Sequence, residues 1–416
     1  MSQQQNTPVI VGGNRTPFAK AGTAYAGSST SDLLTAAIDG LVARFGLAGE
    51  RIDEVAGGAV LKHSKDYNLT REAVLGTALD PHTPAVDMGQ ACATSLQTTV
   101  YLANKIRLGQ ARTGIAAGVD AASDAPMAVS DGLRRALLNF SHAKTTQDKL
   151  KALSALRPGH LAPKPPQVAE PRTGKSMGLS QADTTAALQI TREAQDELAL
   201  ASHQRLAATW DSGFFDDLVT PCRGLTRDNI LRPDTSLDKL ASLWPVFGDT
   251  MTAGNSTALT DGAASVLLAD EALARERGWQ PWARFVDAQV AAVDFVNGDP
   301  RTDGLLMAPV HALPVLLERN GLNPDDVAVY EFHEAFAATV LSHIKALDTK
   351  GITIDPDRIN PDGSSLAAGH PFAATGARIV ASLAKRLHSM GPGTRGVISI
   401  CAAGGQGTVA LLEATA

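Results

Sequence analysis

The sequence predicts a layered α/β fold built from two similar halves, and three observations carry that expectation. Helical runs alternate with short β-prone runs along most of the 416 residues, the pattern of sheets whose faces are covered by helices. A segment order also repeats. "LLTAAIDGLVARFGLAGERIDEVAGGAV" sets Leu33, Leu34, Ala37, Ile38, Leu41, Val42 and Phe45 at helical spacing before a "GL" stop, an acidic turn and a β-prone run. "VHALPVLLERNGLNPDDVAVYEFHEA" gives the same order again. A second pair agrees: Leu96, Val100, Ala103 and Ile106 share a helical face ahead of "TGIAAGV", and Ile379, Leu383 and Leu387 share one ahead of "RGVISI".

Composition sets the outer limits. With 44% hydrophobic and 19% charged residues and 37 glycines, the chain can bury a large core, and its length favours more than one domain. A formal net charge of −6 offers no general attraction to nucleic acid, and no nucleic-acid partner is expected. The start, "MSQQQNTPVIVGGNRTPF", lacks a charged-then-apolar leader, and no apolar run approaches the roughly 18 residues of a membrane span. A cytoplasmic protein is expected. Cys92, Cys222 and Cys401 are odd in number and far apart, which favours free thiols over a disulfide framework.

Residues 121–250 break the regular pattern and are read as an inserted loop domain. The first half then comprises residues 1–120 plus 251–272, and the second half residues 273–416. Inside the insert, "DGLRRALLNFSHAKTTQDKLKALSALRPGHLAPKPP" is basic and leucine-spaced before it turns proline-rich. The stretch from Arg134 to Lys164 reads as solvated surface or as a docking face for a partner subunit or a membrane, since leucines interleave with the charges.

Four segments carry chemistry. "GQACATSLQ" places Cys92 at the head of a helix, where orphan N–H groups and the helix dipole favour a thiolate. "FHEAFAA" holds His333 and Glu334 beside a strand end, "GHPFAATGAR" puts His370 in a small-residue turn opening a helix, and "SICAAGGQG" ends a strand at Cys401. Small residues around all of them let a substrate approach backbone N–H groups, as an oxyanion hole requires. A zinc site from Cys92, His333, His370 and Cys401 has suitable donors, but none of the short paired spacings of structural zinc sites appears, and no metal is expected. A papain-like cysteine–histidine pair leaves the second cysteine unexplained.

In this order and across both halves, "GQACATSLQ", "TAGNSTALTDGAA", "HEAFA", "GHPFAATGAR" and "CAAGGQG" resemble the thiolase family over essentially the whole chain. The resemblance implies a five-layer α-β-α-β-α fold from two βαβαβαββ halves. It implies CoA-dependent thiolytic cleavage of 3-ketoacyl-CoA in fatty-acid β-oxidation, with acetoacetyl-CoA chemistry as the alternative within the family. By the same resemblance Cys92 is the acylated nucleophile. His370 activates it and binds the thioester oxygen, and Cys401 moves the proton at the departing carbon. His333 stands where most members have asparagine, a variant similar to the thiolase subunits of β-oxidation complexes. Ala403 replaces a glycine and, with Cys92, offers the backbone N–H groups of a second oxyanion hole. Met177, Asn255, Ser256, Thr257 and Phe336 are expected along the acyl and CoA channel. CoA enters as substrate and no cofactor is implied. A homodimer or tetramer is expected, with a hydratase/dehydrogenase partner subunit or a peripheral membrane contact through the loop domain as candidates for the basic stretch. CoA phosphates are a third candidate for that stretch. A non-catalytic acyl-lipid binding protein is the remaining reading from another class.

Overall fold

The computed structural model describes residues 6–167 and 169–415. Its strands are β1 (Pro8–Arg15), β2 (Ala19–Lys20), β3 (Glu54–Gly57), β4 (Ala85–Asp87), β5 (Thr113–Ala121), β6 (Pro245–Phe247), β7 (Met251–Thr252), β8 (Thr260–Asp270), β9 (Ala283–Ala292), β10 (Val329–Phe332), β11 (Arg395–Ala402) and β12 (Gln406–Ala414). Ten of them form one hydrogen-bonded path in the order β10-β11-β12-β9-β1-β8-β5-β3-β4, with β2 beside β8. The path has a narrow waist. β1 and β9 meet only through Val9–Arg284 and Ile10–Ala283, whereas β5 and β8 pair over nine consecutive positions.

On either side of that waist the order is the same. In the first half it runs β1-β8-β5-β3, and in the second β9-β12-β11-β10, with the two inner pairs antiparallel and the outer pair parallel. The outermost member β4 is parallel to β3 and is answered in the second half by the parallel bridge of Ile359 to Tyr330. Period-two alternation sends successive side chains to opposite faces, and this separates three cores. From β8, Val266 and Leu268 point into a central core with Ile398, Ile400, Ala410 and Leu412 of the other half. Leu267 and Ala269 point into an outer core with the helix Thr30–Arg44. Val409 and Leu411 of β12 point into a second outer core with the helices Pro309–Arg319 and Ala337–Asp348.

Two helices fill the space between the half-sheets. Thr94–Arg107 contributes Leu96, Leu102 and Ile106, and Thr375–Met390 contributes Ile379, Leu383 and Leu387, to one central core. Outer helix, sheet, central helices, sheet and outer helix are thus stacked in the five-layer order, and this layered α/β arrangement is the one expected. The outer helix Thr30–Arg44 starts where the sequence dictates: Ser29 and Asp32 form a reciprocal capping box. It buries the expected stripe of Leu33, Leu34, Ala37, Ile38, Leu41 and Val42.

The central helices touch closely enough to need glycine. A Cβ on Gly376 would lie 2.3 Å from the backbone nitrogen of Leu96. The Ala377 N–H donates to Ser95 Oγ at 2.7 Å across the same contact.

Residues Ala125–Val168 form a compact unit of their own, and Met1–Asp124 with Ala169–Ala416 form the other. Of the span 121–250 read as one insert, the part from 169 onward therefore belongs to the larger unit. The smaller unit holds the helices Asp131–His142 and Thr146–Ser154, each opened by a side-chain cap from Ser130 or Thr145. Leu137, Leu138, Leu150, Leu153 and Leu161 are exposed on it. Arg134 pairs with Asp131 at 3.0 Å. No helix of the described residues is long and apolar enough to cross a membrane.

Candidate active site

Cys92 sits in a single turn, Ala91–Ala93, that leads directly into the helix Thr94–Arg107. Ala91 adopts φ = 45°, a left-handed conformation that costs a residue with a Cβ about 1 kcal/mol or more. Thr94 holds the turn in place. Its hydroxyl accepts from the Gln90 N–H at 2.9 Å and donates to the Ala91 carbonyl at 2.8 Å. The Gln90 side chain in turn accepts from Thr408 on β12 at 3.0 Å, which fastens the turn to the hairpin that carries Cys401.

His370 enters from the second half. It follows Gly369, whose φ of 97° is open only to glycine at reasonable cost and whose Cβ would meet Ile230 and Thr260 within 3 Å. The His370 N–H donates to Thr260 Oγ1 at 3.1 Å. Its Nδ1 lies 2.6 Å from Thr375 Oγ1, and its Nε2 lies 3.1 Å from Cys92 Sγ. With Nδ1–H donated to the threonine, Nε2 keeps a lone pair facing the thiol.

His333 completes the group. It leaves the end of β10 with its N–H bonded to the Ser399 carbonyl at 2.8 Å. Its ring centroid is 4.1 Å from that of His370. Nδ1 lies 2.8 Å from Ser365 Oγ, and that hydroxyl also accepts from Arg378 Nη2 at 2.8 Å. The guanidinium only donates, so the serine proton is free to go to His333 Nδ1, leaving Nε2–H as a donor. Nε2 is buried and has no protein partner, the arrangement of a group reserved for a ligand. Glu334 beside it is used up: its carboxylate accepts from Ser202, Asn360 and the Leu366 N–H.

Electrostatics keep the pair neutral. Burial pushes the Cys92 thiol up to about 12, and the nearby Asp120 carboxylate adds to the rise, while the N–H groups of Ala403 and of Cys92 itself oppose it. Burial pushes His370 down to about 3, helped by the Arg378 charge. His333 lies well below its ordinary value for the same first reason, with the His370 and Arg378 charges adding. Burial thus disfavours the charged form of both the thiol and the imidazole that faces it.

Cys401 ends β11 and is buried in an apolar cluster with Met251, Leu305, Leu306, Phe336 and Ala338. Burial and the Cys92 charge both raise its thiol. Met177 and Phe247 pack against the same cluster, and the rings of Phe247 and Phe336 stand edge to face at 5.9 Å. Met177 and Phe336 thus lie beside the second thiol. In the turn after it the left-handed positions are Gly404 and Gly405, whereas Ala403 does not require positive φ.

The "GNST" segment is divided. Asn255 is fully buried and spends its amide on the Thr252 N–H, Asp196 and the Thr250 carbonyl, so no polar atom is left for a ligand. Thr257 straps its hydroxyl to the Ser365 carbonyl at 3.1 Å. Ser256 pairs with Phe336 through the backbone, and its buried Oγ has no partner. Sequence reasoning missed Ser365, Arg378, Thr375 and Asp120. Asp120 accepts from the N–H groups of Val60, Leu61 and Ala373 and so ties the end of β5 to the turn after His370. None of these residues forms a spacing pattern with its partner.

Cys92, His333 and His370 bring their ligand-type atoms within 4.8 Å of one another, and Cys401 does not join that group. A thiol, an imidazole base and backbone donors at the head of a helix define an acyl-transfer centre that works through cysteine.

Comparison with known proteins gives the family. Residues 8–272 match the model described as "Thiolase, N-terminal domain" and residues 280–414 that described as "Thiolase, C-terminal domain". The 3-ketoacyl-CoA thiolase of Alteromonas mediterranea is 39% identical, covering 97% of this chain and 96% of its own. That of Escherichia coli strain 55989 is 38% identical, covering 100% and 98%. Among solved structures, the acetyl-CoA acetyltransferase of Bacillus anthracis superposes with a TM-score of 0.83 at 29% identity, covering 99% of this chain and all (100%) of that one. Human mitochondrial 3-ketoacyl-CoA thiolase in complex with CoA gives 0.83 at 27%, covering 99% and 98%. The chain belongs to the thiolase family.

Proposed function

We propose that this protein cleaves 3-ketoacyl-CoA with CoA, through an acyl-Cys92 intermediate, to acetyl-CoA and a shortened acyl-CoA. The carrying observation is the 3.1 Å approach of His370 Nε2 to Cys92 Sγ, with the unpartnered Nε2 of His333 beside it. Cys92 attacks the ketone carbon and its proton passes to His370 Nε2. The alkoxide is held by the Cys92 and Ala403 N–H groups. Collapse breaks the bond between the α and β carbons, and the departing acetyl-CoA enolate is bound through its thioester oxygen by the ring Nε2–H groups of His333 and of His370, which now carries the Cys92 proton. Cys401 gives that carbanion its proton, then takes one from incoming CoA, whose thiolate attacks the acyl-Cys92 thioester. The proton on His370 returns to Cys92 as the shortened acyl-CoA leaves. General-base help of this kind is worth about a hundred- to ten-thousand-fold.

The name of the similar proteins favours 3-ketoacyl-CoA as substrate, and a place in fatty-acid β-oxidation in the cytoplasm is part of this reading. The likeness to an acetyl-CoA acetyltransferase keeps acetoacetyl-CoA as the second substrate reading. Acetyl-CoA release from a long-chain 3-ketoacyl-CoA and from acetoacetyl-CoA, with Cys92→Ala as control, decides between them. Cys92-dependent turnover of the long chain supports the degradative reading, turnover of acetoacetyl-CoA alone supports the second, and no turnover of either overturns both.

Homodimer or tetramer formation is part of this reading. The smaller unit is proposed as a docking face for a partner subunit or a membrane, because exposed leucines and the basic residues Arg134 and Arg135 share the helix Asp131–His142. Arg134→Glu with Arg135→Glu is expected to abolish sedimentation with anionic liposomes, or association with a β-oxidation partner subunit, while acetoacetyl-CoA turnover stays intact. Unchanged association defeats the assignment.

A further inference from the structure

We propose that Cys92, His370 and His333 also form a reversible capture site for a soft divalent cation, zinc by the chemistry of the donors, and that the bound ion arrests the enzyme. The binding stands on geometry alone; the arrest rests on the function proposed above. One thiol sulfur and two imidazole nitrogens lie within 4.8 Å of one another. Two donors on one tetrahedral zinc stand roughly 3.4–3.6 Å apart, and Cys92 Sγ and His370 Nε2 are already at 3.1 Å. The remaining separations, at most 4.8 Å, must shorten by about 1 Å for all three to hold one ion.

A second observation points to a ligand. His333 Nε2 is a buried polar atom without a partner in a residue only 2% exposed. Leaving a buried donor or acceptor unbonded is costly, so something other than protein is expected to satisfy it at least part of the time. Substrate oxygen does so with Nε2 protonated, and a cation does so with Nε2 bare.

The hydroxyl beside His333 allows both states. Ser365 Oγ is bonded to Arg378 and to His333 Nδ1. When its hydroxyl donates to Nδ1, Nε2 carries the proton. When it accepts Nδ1–H instead, Nε2 turns a lone pair toward Cys92. His370 needs no change, since Nδ1–H donated to Thr375 already leaves Nε2 basic. Metal-bound histidines are held through their other ring nitrogen in this way. Cys92 is partly exposed, so solvent can supply the fourth ligand, as it does in three-ligand zinc sites. The balance is simple: zinc replaces the Cys92 thiol proton, which leaves to solvent, and no electrons are transferred. The captured thiolate cannot attack a ketone, and the captured Nε2 of His370 cannot take a proton.

The test uses the full-length protein, freed of metal by chelator and kept without CoA or added thiols, with cobalt(II) as a visible stand-in for spectroscopically silent zinc. A thiolate-to-cobalt absorption saturating at one ion per chain is expected, displaced by zinc and absent in Cys92→Ala. His333→Asn is expected to weaken binding at least about tenfold, and Thr375→Val, which removes the hydroxyl that holds His370 Nδ1, by about 10–100-fold. Zinc is expected to protect Cys92, but not Cys222, from iodoacetamide, with EDTA reversing the protection. Near-UV circular dichroism confirms that each variant is folded, and His333→Gln replaces His333→Asn if that one is not. Absorption that persists in Cys92→Ala, or is unchanged in both His333 variants, overturns the site. No step of this titration uses an acyl-CoA, so a failure of the thiolysis reading leaves its outcome readable.

Discussion

The two central helices occupy equivalent places in the two halves, yet their heads carry different chemistry. Thr94–Arg107 is entered through the turn Ala91–Ala93, and Thr375–Met390 through the turn Phe372–Ala374. The first turn holds a nucleophile under backbone strain at Ala91, and the second is preceded by an imidazole whose every contact is relaxed and satisfied. A duplicated fold thus supplies two positive helix ends at one spot, and the halves have diverged in what each presents there. Both dipoles favour negative charge in the space beside Cys92 and His370. Neither half holds a complete centre.

The largest expected effect comes from breaking the first head. Cys92→Ala is expected to cost at least about ten-thousand-fold in kcat, and His370→Ala about a hundred- to ten-thousand-fold, both measured as acetyl-CoA release. Electrospray mass spectrometry sharpens the distinction, because only the His370 variant is expected to accumulate any acyl adduct on Cys92. If Cys92→Ala still gains the acyl mass on another residue in the same turnover, the assignment of the nucleophile fails.

Separating the two heads physically comes next. Gly376→Ala drives a Cβ to 2.3 Å from the Leu96 nitrogen, and overpacking of this kind costs about 1–3 kcal/mol. The thermal midpoint is expected to fall, with activity falling alongside because both helix heads shift. A variant as stable and as active as the parent would show that the halves tolerate a wider gap than the contact implies.

Smaller effects probe the supports. Ser365→Ala removes the hydroxyl that holds His333 Nδ1, and one hydrogen bond of about 1.4 kcal/mol corresponds to about tenfold in kcat with KM little changed. Ser365→Thr is expected to restore most of the loss, which a merely structural defect would not predict. The acid limb of kcat/KM is the smallest. His370 must be neutral to act, and because burial holds it at about 3 rather than 6.5, falling pH does not protonate it near 6.5. The profile is expected to stay level through that value for as long as circular dichroism shows folded protein, and an inflection at 6.5 would place the histidine in water.

Much of this was legible before the structure, for reasons that are physical. Helical stripes such as Leu33 to Val42 and Leu96 to Ile106 are local patterns, and each buries the face its spacing implies. Cys92, His370 and Cys401 stand in runs of small residues that have no reason to be small except close approach. Ser365, Arg378 and Thr375 are different: their importance lies in what they touch across a helix or a loop, and a serine contacting a histidine from 32 positions away leaves no periodic trace. Asn255 shows the reverse error. An amide in a turn reads as a ligand contact, yet here it holds the backbone of its own loop. The extent of the separate unit was also illegible, because helix-forming segments after 169 return to the larger unit through tertiary contacts alone.

The 278-residue separation of Cys92 from His370 has a bearing on biosynthesis. At roughly 5–20 residues per second on the ribosome, the thiol emerges on the order of tens of seconds before its base exists. During that interval the nascent chain carries a cysteine without a proton acceptor. The thiol and its base therefore meet only once the second half has been made and has folded onto the first.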